Sequence, residues 1–162
     1  MASEPRWIAI RDDLEESLAL MSRANGYHYD YAPTTRGVAD FHAESDYTVP
    51  SPFLEWGGTV QEGGRTDEQA TARYRHNEAW MISFSIRSPD LDHEAMAARV
   101  RSDVHTALMG LARRTRGEAR VNTFDVGTSW SAGDQGGKQV GGILGLSYVT
   151  RWDHTTGDMS SQ

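Results

Sequence analysis

Histidines beside carboxylates are the first residues in this sequence that could do chemistry. His28 and Asp30 alternate on one face of a predicted strand, and Asp40 and His42 repeat the arrangement. A histidine with a neighbouring carboxylate can act as a general base or bind a metal ion. The sequence offers no third ligand at an informative spacing and no HExxH motif. The spacing therefore favours polar strand faces, and we predict no metal site.

The glycine-rich segment 131–142 is the second candidate. Residues 133–139 are similar to a phosphate-binding loop, but Ala132 occupies the position of its first glycine. Gln139 stands where a serine or threonine must hold magnesium. The sequence also has no cysteine and no G-x-S-x-G motif for a nucleophile. We therefore predict no cofactor and no enzymatic activity, and we favour a binding or structural role.

The charge pattern points to self-association. The net charge is −7, whereas proteins that bind nucleic acid without sequence preference are usually basic. Residues 1–68 carry a net charge of −8, and residues 69–120 carry +3. Opposite charges in two parts of one chain can attract a second copy head-to-tail, the contact that generates rings. A plain distribution of solvated surface charge is the alternative.

Exposed tryptophan and arginine are the residue types that most often anchor protein interfaces. Trp56 and Trp130 lie beside glycine-rich segments, where either a core or an interface position is open. Arginines follow the second predicted helix, where they can also serve its C-terminal dipole. The candidate subunit or partner interface consists of Trp56, Arg65, Arg73, Arg75, Arg113, Arg114, Arg116, Trp130 and Lys138.

Apolar periodicity predicts the elements that must position these residues. It predicts helices over 4–24 and 90–115, strands over 26–32, 38–43, 53–60, 80–86, 118–126 and 143–152, a long polar loop at 61–78 and a glycine-rich loop at 131–142. The predicted fold is α+β, with a mainly antiparallel or mixed sheet of about five to six strands and two amphipathic helices on one face. We expect one domain over 1–152 and a polar tail over 153–162.

The order of elements resembles the tail terminator, or tail completion, proteins of long-tailed bacteriophages. The resemblance rests on an N-terminal amphipathic helix ending in Asn25-Gly26-Tyr27, the strand Phe53-Leu54-Glu55-Trp56 and the long polar insertion. It continues through the alternating strand from Trp80 to Ile86, a helix containing Asp103-Val104 and Ala107-Leu108, and the closing strands. It covers nearly the whole chain, but it has no sharp motif, so no residue role is carried over.

The resemblance implies a virion structural protein that forms a ring, a hexamer in that family. Such a ring caps the tail tube and joins it to the head-side connector protein, and DNA passes through its lumen without sequence-specific binding. It implies a location in the tail or neck of the virion, and in the host cytoplasm during assembly. No apolar run approaches the length that spans a bilayer, so we expect no membrane partner.

Two other interpretations stay open at this point. The first is a head-to-tail connector or neck protein, which sequence does not separate from a tail terminator. The second is a small α+β enzyme or ligand-binding module with a pocket near His28, Asp30 and His42. The long loop at 61–78 is predicted to become ordered on a partner in the leading interpretation.

Overall fold

Two helices and seven strands are present in a computed structural model, which describes residues 5–36, 50–64, 73–87, 92–109, 115–116, 119–120, 122–135 and 138–155. In chain order the elements are α1 (Arg6–Ala19), a 3₁₀ turn (Arg23–Asn25), β1 (Thr35–Arg36), β2 (Pro52–Gly64), β3 (Arg73–Arg87), α2 (His93–Met109), β4 (Thr115–Arg116), β5 (Ala119–Arg120), β6 (Asn122–Gln135) and β7 (Lys138–Thr155). Neither described helix is long and apolar enough to cross a membrane.

Five of the strands form one mixed sheet in the order β1-β2-β3-β7-β6. β1 runs parallel to β2, and every other neighbouring pair is antiparallel. β4 and β5 form a separate two-stranded hairpin. The α+β fold with a mainly antiparallel, mixed sheet is therefore confirmed.

The core lies between the two helices and one side of this sheet, which we call the helix face. Alternate residues of the central strands point into it, such as Ile82 and Phe84 of β3 and Leu146 of β7, each at most 1% exposed. Leu14 of α1 and Val100 of α2 are fully buried against them. Strands with alternating apolar residues and helices with apolar residues every three or four positions thus meet in one apolar layer, as the periodicity of the sequence predicts.

Both helices are shorter than their predicted ranges. α1 ends at Ala19, and the chain then makes a 3₁₀ turn that closes on Gly26 with a φ of 89°. Met21 continues the apolar stripe and is buried, but it lies beyond the helix. α2 begins at His93, where the Asp92 carboxylate accepts the Ala95 N–H at 3.1 Å. Asp92 is therefore the capping residue, and the helix begins later than the predicted start at residue 90.

Two predicted loops and the predicted tail differ in extent from the structure. The predicted loop at 61–78 is largely strand, because β2 continues to Gly64 and β3 begins at Arg73. The predicted loop at 131–142 is likewise hairpin, with strand up to Gln135 and again from Lys138. β7 runs to Thr155, so the predicted tail starts too early. Strands pair through backbone hydrogen bonds, which form whatever the side chains are. The hydropathy pattern therefore did not reveal these polar and glycine-rich segments as strands.

Residues 27–31, which were predicted as a strand, form none; they run across α2 as irregular chain. The predicted strand at 38–43 lies outside the described residues. The described β1, Thr35–Arg36, is instead tied to α1, because the Arg36 guanidinium binds both Glu15 carboxylate oxygens at 2.7 and 3.1 Å. This ion pair raises the pKa of Arg36 through the hydrogen bond to Glu15.

Gly142 allows an aromatic ring to lie directly on the sheet. A Cβ at this position would come within 2.5 Å of the Trp130 ring and 2.7 Å of the Ser131 carbonyl oxygen. We expect Gly142→Ala to lower the free energy of unfolding by about 1–3 kcal/mol, because the ring must move. Urea unfolding measures this loss. Gly127→Ala is the control, since its Cβ would meet nothing within 4 Å; equal losses in both variants would contradict the contact.

One polar pair is buried in the core without hydrogen bonds. Trp80 and Tyr148 face each other across β3 and β7, and neither Trp80 Nε1 nor Tyr148 OH has a partner in the part of the chain that the structure describes. Burial raises the pKa of Tyr148 to about 12, with a further contribution from the Asp125 carboxylate. Arg101, which pairs with Asp125 at 3.2 Å, opposes this rise.

The raised pKa of Tyr148 predicts alkaline destabilisation. An unfolded tyrosine ionises near pH 10, whereas the folded Tyr148 stays protonated until about pH 12, so stability falls as pH rises through that interval. We expect Tyr148→Phe to gain about 1 kcal/mol at neutral pH, because it removes an unpaired buried hydroxyl. It should also flatten the alkaline fall. Urea unfolding across the pH range measures both effects, and an equally steep fall in the variant would contradict them.

Candidate functional site

The most unusual group of the described structure is a buried carboxylate, Glu78, on the helix face of β3. The side chain is 1% exposed. Its Oε2 accepts hydrogen bonds from Trp56 Nε1 at 3.0 Å and Thr59 Oγ1 at 2.6 Å, and its Oε1 accepts one from Trp152 Nε1 at 3.1 Å. Two tryptophans and a threonine from the strands on either side therefore hold one carboxylate. We call these four residues the Glu78 cluster.

Aromatic stacking extends the Glu78 cluster to α1 and to the rest of β3. The Trp7 ring of α1 stacks on Trp56 with centroids 4.4 Å apart and planes 4° from parallel. The His76 ring stacks on Trp152 at 4.0 Å and 9°. The Arg6 guanidinium lies over Trp152 at 6.0 Å, a cation–π distance. The first turn of α1 thus packs against both tryptophans that donate to Glu78.

A β-bulge in β2 makes the double contact with Glu78 Oε2 possible. The register shifts between Trp56 and Gly58, so Gly57 is the extra residue. Gly58 has a φ of 103°, which side chains rarely adopt, and this explains the glycine. Without the extra residue Trp56 and Thr59 would point to opposite faces, since strand side chains alternate. The bulge turns both toward the same carboxylate.

The Glu78 cluster is built to hold structure rather than to transfer protons. Both carboxylate oxygens are occupied by donors, and the side chain is closed to solvent. Trp56 is 39% exposed, so the stacked Trp7 and Trp56 rings form the outer edge of the cluster. Sequence reasoning missed Glu78 because it fell in the predicted polar loop. Extending the alternation of Trp80, Ile82 and Phe84 back by one step would have put it on the helix face.

Asp103 of α2, one of the other buried carboxylates, binds the irregular chain at 27–31. Asp103 is 3% exposed and accepts the His28 backbone N–H at 2.9 Å, the His28 Nδ1 at 2.7 Å and the Tyr31 hydroxyl at 2.6 Å. Burial, with this hydrogen bond next, raises the pKa of Tyr31 far above its ordinary range. A segment without strand pairing is therefore held to α2 by one side chain.

This arrangement corrects the predicted pairing of His28 with Asp30. The partner of His28 is Asp103, while Asp30 Oδ1 accepts the Arg23 backbone N–H at 2.9 Å. Asp40 and His42 lie outside the described residues. No group of three or more histidine, aspartate or glutamate side chains in the described ranges is placed to hold a metal ion.

The predicted interface residues separate into three groups. Trp56 belongs to the Glu78 cluster and is partly exposed, Trp130 packs half-buried against the core, and Arg75 binds Asp153 at 3.1 Å on an exposed strand. Arg73, Arg116 and Lys138 have described backbone in β3, β4 and β7. Arg65, Arg113 and Arg114 lie outside the described residues. Arg116 lies in β4 and is therefore not part of α2.

The side of the sheet opposite the helix face is rich in serine, and we call it the serine face. Alternation places Ser83, Ser129 and Ser147 on it, together with the apolar Met81 and Val149. Its described charged side chains are Glu55, Glu62, Arg75, Arg151 and Asp153. Both arginines are engaged, Arg75 with Asp153 and Arg151 with the Asn77 amide at 3.0 Å and the Phe124 ring at 5.5 Å. Among the side chains that the structure describes on this face, three are carboxylates and two are cations.

No protein-family model matches the chain, and no curated protein matches it either. The geometry therefore has to carry the functional argument.

The Glu78 cluster gives a direct mutational prediction. A glutamine at position 78 would have one acceptor oxygen for three donors, and its amide would face an N–H or O–H group. We expect Glu78→Gln to lower the free energy of unfolding by about 2–3 kcal/mol, measured by urea unfolding. Glu62→Gln is the matched control, because Glu62 is exposed on β2. Similar stability of the two variants would contradict the cluster.

Proposed function

We propose that this protein is a virion structural subunit, a tail terminator, that forms a ring on the phage tail tube and joins it to the head-side connector, with DNA passing through the lumen. The observation that carries the proposal is the serine face. One side of the sheet holds both helices and the core, and the described side chains of the other are mostly small and uncharged, with both described arginines engaged. Such a surface suits the wall of a channel.

The charge of the serine face fits passage of DNA without binding. Affinity for duplex DNA comes mainly from lysine and arginine neutralising phosphates. Of the described side chains on this face, three are carboxylates and two are arginines, each arginine already paired. The side chains that the structure describes on this face therefore offer phosphates no unpaired cation. The net charge of −7 per chain works in the same direction.

The placement of the helices fits a ring. When a sheet curves to enclose a lumen, the outer side has the longer circumference and therefore the room for helices. α1 and α2 both lie on the helix face, so the serine face is the side that would face inward. The engaged carboxylates Glu78 and Asp103 also fit a structural subunit, since hydrogen-bond donors occupy both oxygens of each carboxylate.

Absolute mass of the purified protein, by native mass spectrometry and light scattering, tests the proposal. We expect a closed oligomer of about six copies that appears as a ring with a central hole in negative-stain images. If free chains are monomeric, the same measurement is made with purified tail tubes added, where rings should cap one end of each tube. A protein that stays monomeric alone and leaves tubes uncapped would contradict the proposal.

A further inference from the structure

The imidazole of His28 is held on one side by a buried carboxylate and is half open to solvent. Asp103 is 3% exposed, and its Oδ1 lies 2.7 Å from His28 Nδ1. Its Oδ2 accepts the Tyr31 hydroxyl and the His28 backbone N–H. The His28 side chain is 50% exposed. The orientation of the ring is therefore fixed from within the fold, while reagents in solution can still reach it.

The hydrogen bond to Asp103 also assigns the tautomer of His28. A carboxylate only accepts hydrogen bonds, so Nδ1 must carry the proton that it donates, and Nε2 holds the lone pair of the neutral ring. No group in the described ranges is hydrogen-bonded to Nε2. A histidine held in this way by a carboxylate is suited to act as a base or a nucleophile, because the carboxylate stabilises the positive charge that the ring gains when Nε2 forms a bond.

A guanidinium group lies beside the same histidine. Arg23 Nε donates to the His28 carbonyl oxygen at 3.3 Å, and the Arg23 backbone N–H donates to Asp30 Oδ1 at 2.9 Å. Arg23 is exposed, and its two terminal nitrogens have no hydrogen-bond partner in the part of the chain that the structure describes. Guanidinium groups bind phosphate oxygens through parallel N–H groups. The turn from Arg23 to His28 therefore brings a phosphate-binding cation to a histidine with an available lone pair.

We propose that His28 Nε2 is a nucleophile that accepts a phosphoryl group from a small phosphoryl donor with a good leaving group. The Nε2 lone pair forms the bond to phosphorus, the bond between phosphorus and the leaving group breaks, and the leaving group departs with that electron pair. The ring keeps its proton on Nδ1 and becomes positively charged, and the Asp103 carboxylate offsets this charge. Arg23 binds the phosphoryl oxygens, which favours a phosphoryl group over an uncharged acyl group. This modification site does not depend on the proposed ring.

Phosphoramidate is the probe for this site, because it transfers its phosphoryl group to histidine and releases ammonia. Intact-protein mass spectrometry at neutral pH follows the gain of one phosphoryl group, and peptide mapping locates it. His105 is the internal control, since it is exposed on α2 and has no hydrogen-bond partner among the described residues. We expect His28 to react about tenfold faster than His105, the factor that one hydrogen bond to a charged group supplies. Equal rates at the two histidines would overturn the proposal.

Three variants, each checked for folding by circular dichroism, separate the roles. Asp103→Asn should slow His28 to the rate of His105, whereas Tyr31→Phe, which removes a different bond of Asp103, should leave the rate of His28 unchanged. Equal losses in these two variants would assign the effect to a loosened segment and overturn the proposal. Arg23→Gln lies on the surface and should slow phosphoramidate but not diethyl pyrocarbonate, an uncharged acyl donor. Equal effects of Arg23→Gln on both reagents would overturn the preference for a phosphoryl group.

Discussion

A buried carboxylate must receive its hydrogen bonds from the groups around it. The groups that serve Glu78 belong to two strands, and α1 packs on one of them. Its donors come from the strands on both sides of β3, so β2 and β7 are fixed in register beside it. The bulge at Gly57 exists because Trp56 and Thr59 must both reach Oε2. Because Trp7 stacks on Trp56, the position of α1 follows from the same carboxylate.

Asp103 fixes the chain that packs on α2, as the Glu78 cluster fixes the position of α1. It binds His28 and Tyr31, and so ties the chain after α1 to the second helix. Asp103 binds the irregular segment 27–31 to α2, and Glu78 binds the bulged part of β2 to β3. The apolar layer between helices and sheet is held by burial, which is proportional to area and has no preferred direction. Glu78 and Asp103 add directed hydrogen bonds, and leaving either carboxylate without donors would cost several times the energy of an ordinary hydrogen bond.

The sequence predicted the parts of this fold that depend on apolar periodicity. Leu14, Ile82 and Leu146 recur at the spacing of their elements, and the α+β class with both helices on one face followed from them. The predictions were wrong where the sequence has no apolar periodicity. The strands around 61–64, 73–78 and 131–142 are polar or glycine-rich, so apolar periodicity does not mark them as strands. The Asp103–His28 contact joins residues 75 positions apart, a distance that no local pattern encodes. Glu78 looked like a loop residue because a buried acid breaks the apolar pattern that marks a core strand.

The place of β3 in the sheet governs the order in which the molecule can be made. β3 pairs on one side with β2, which precedes it by a short hairpin, and on the other with β7, whose residues 141–155 lie 54 to 82 positions further along the chain. During synthesis the β2–β3 hairpin can form early, but the edge of β3 that pairs with β7 stays unpaired until β7 has left the ribosome. Non-local pairing of this kind is slow to form. The sheet is therefore completed only after β7 has been made, and chains that stop before β7 have no β6–β7 hairpin.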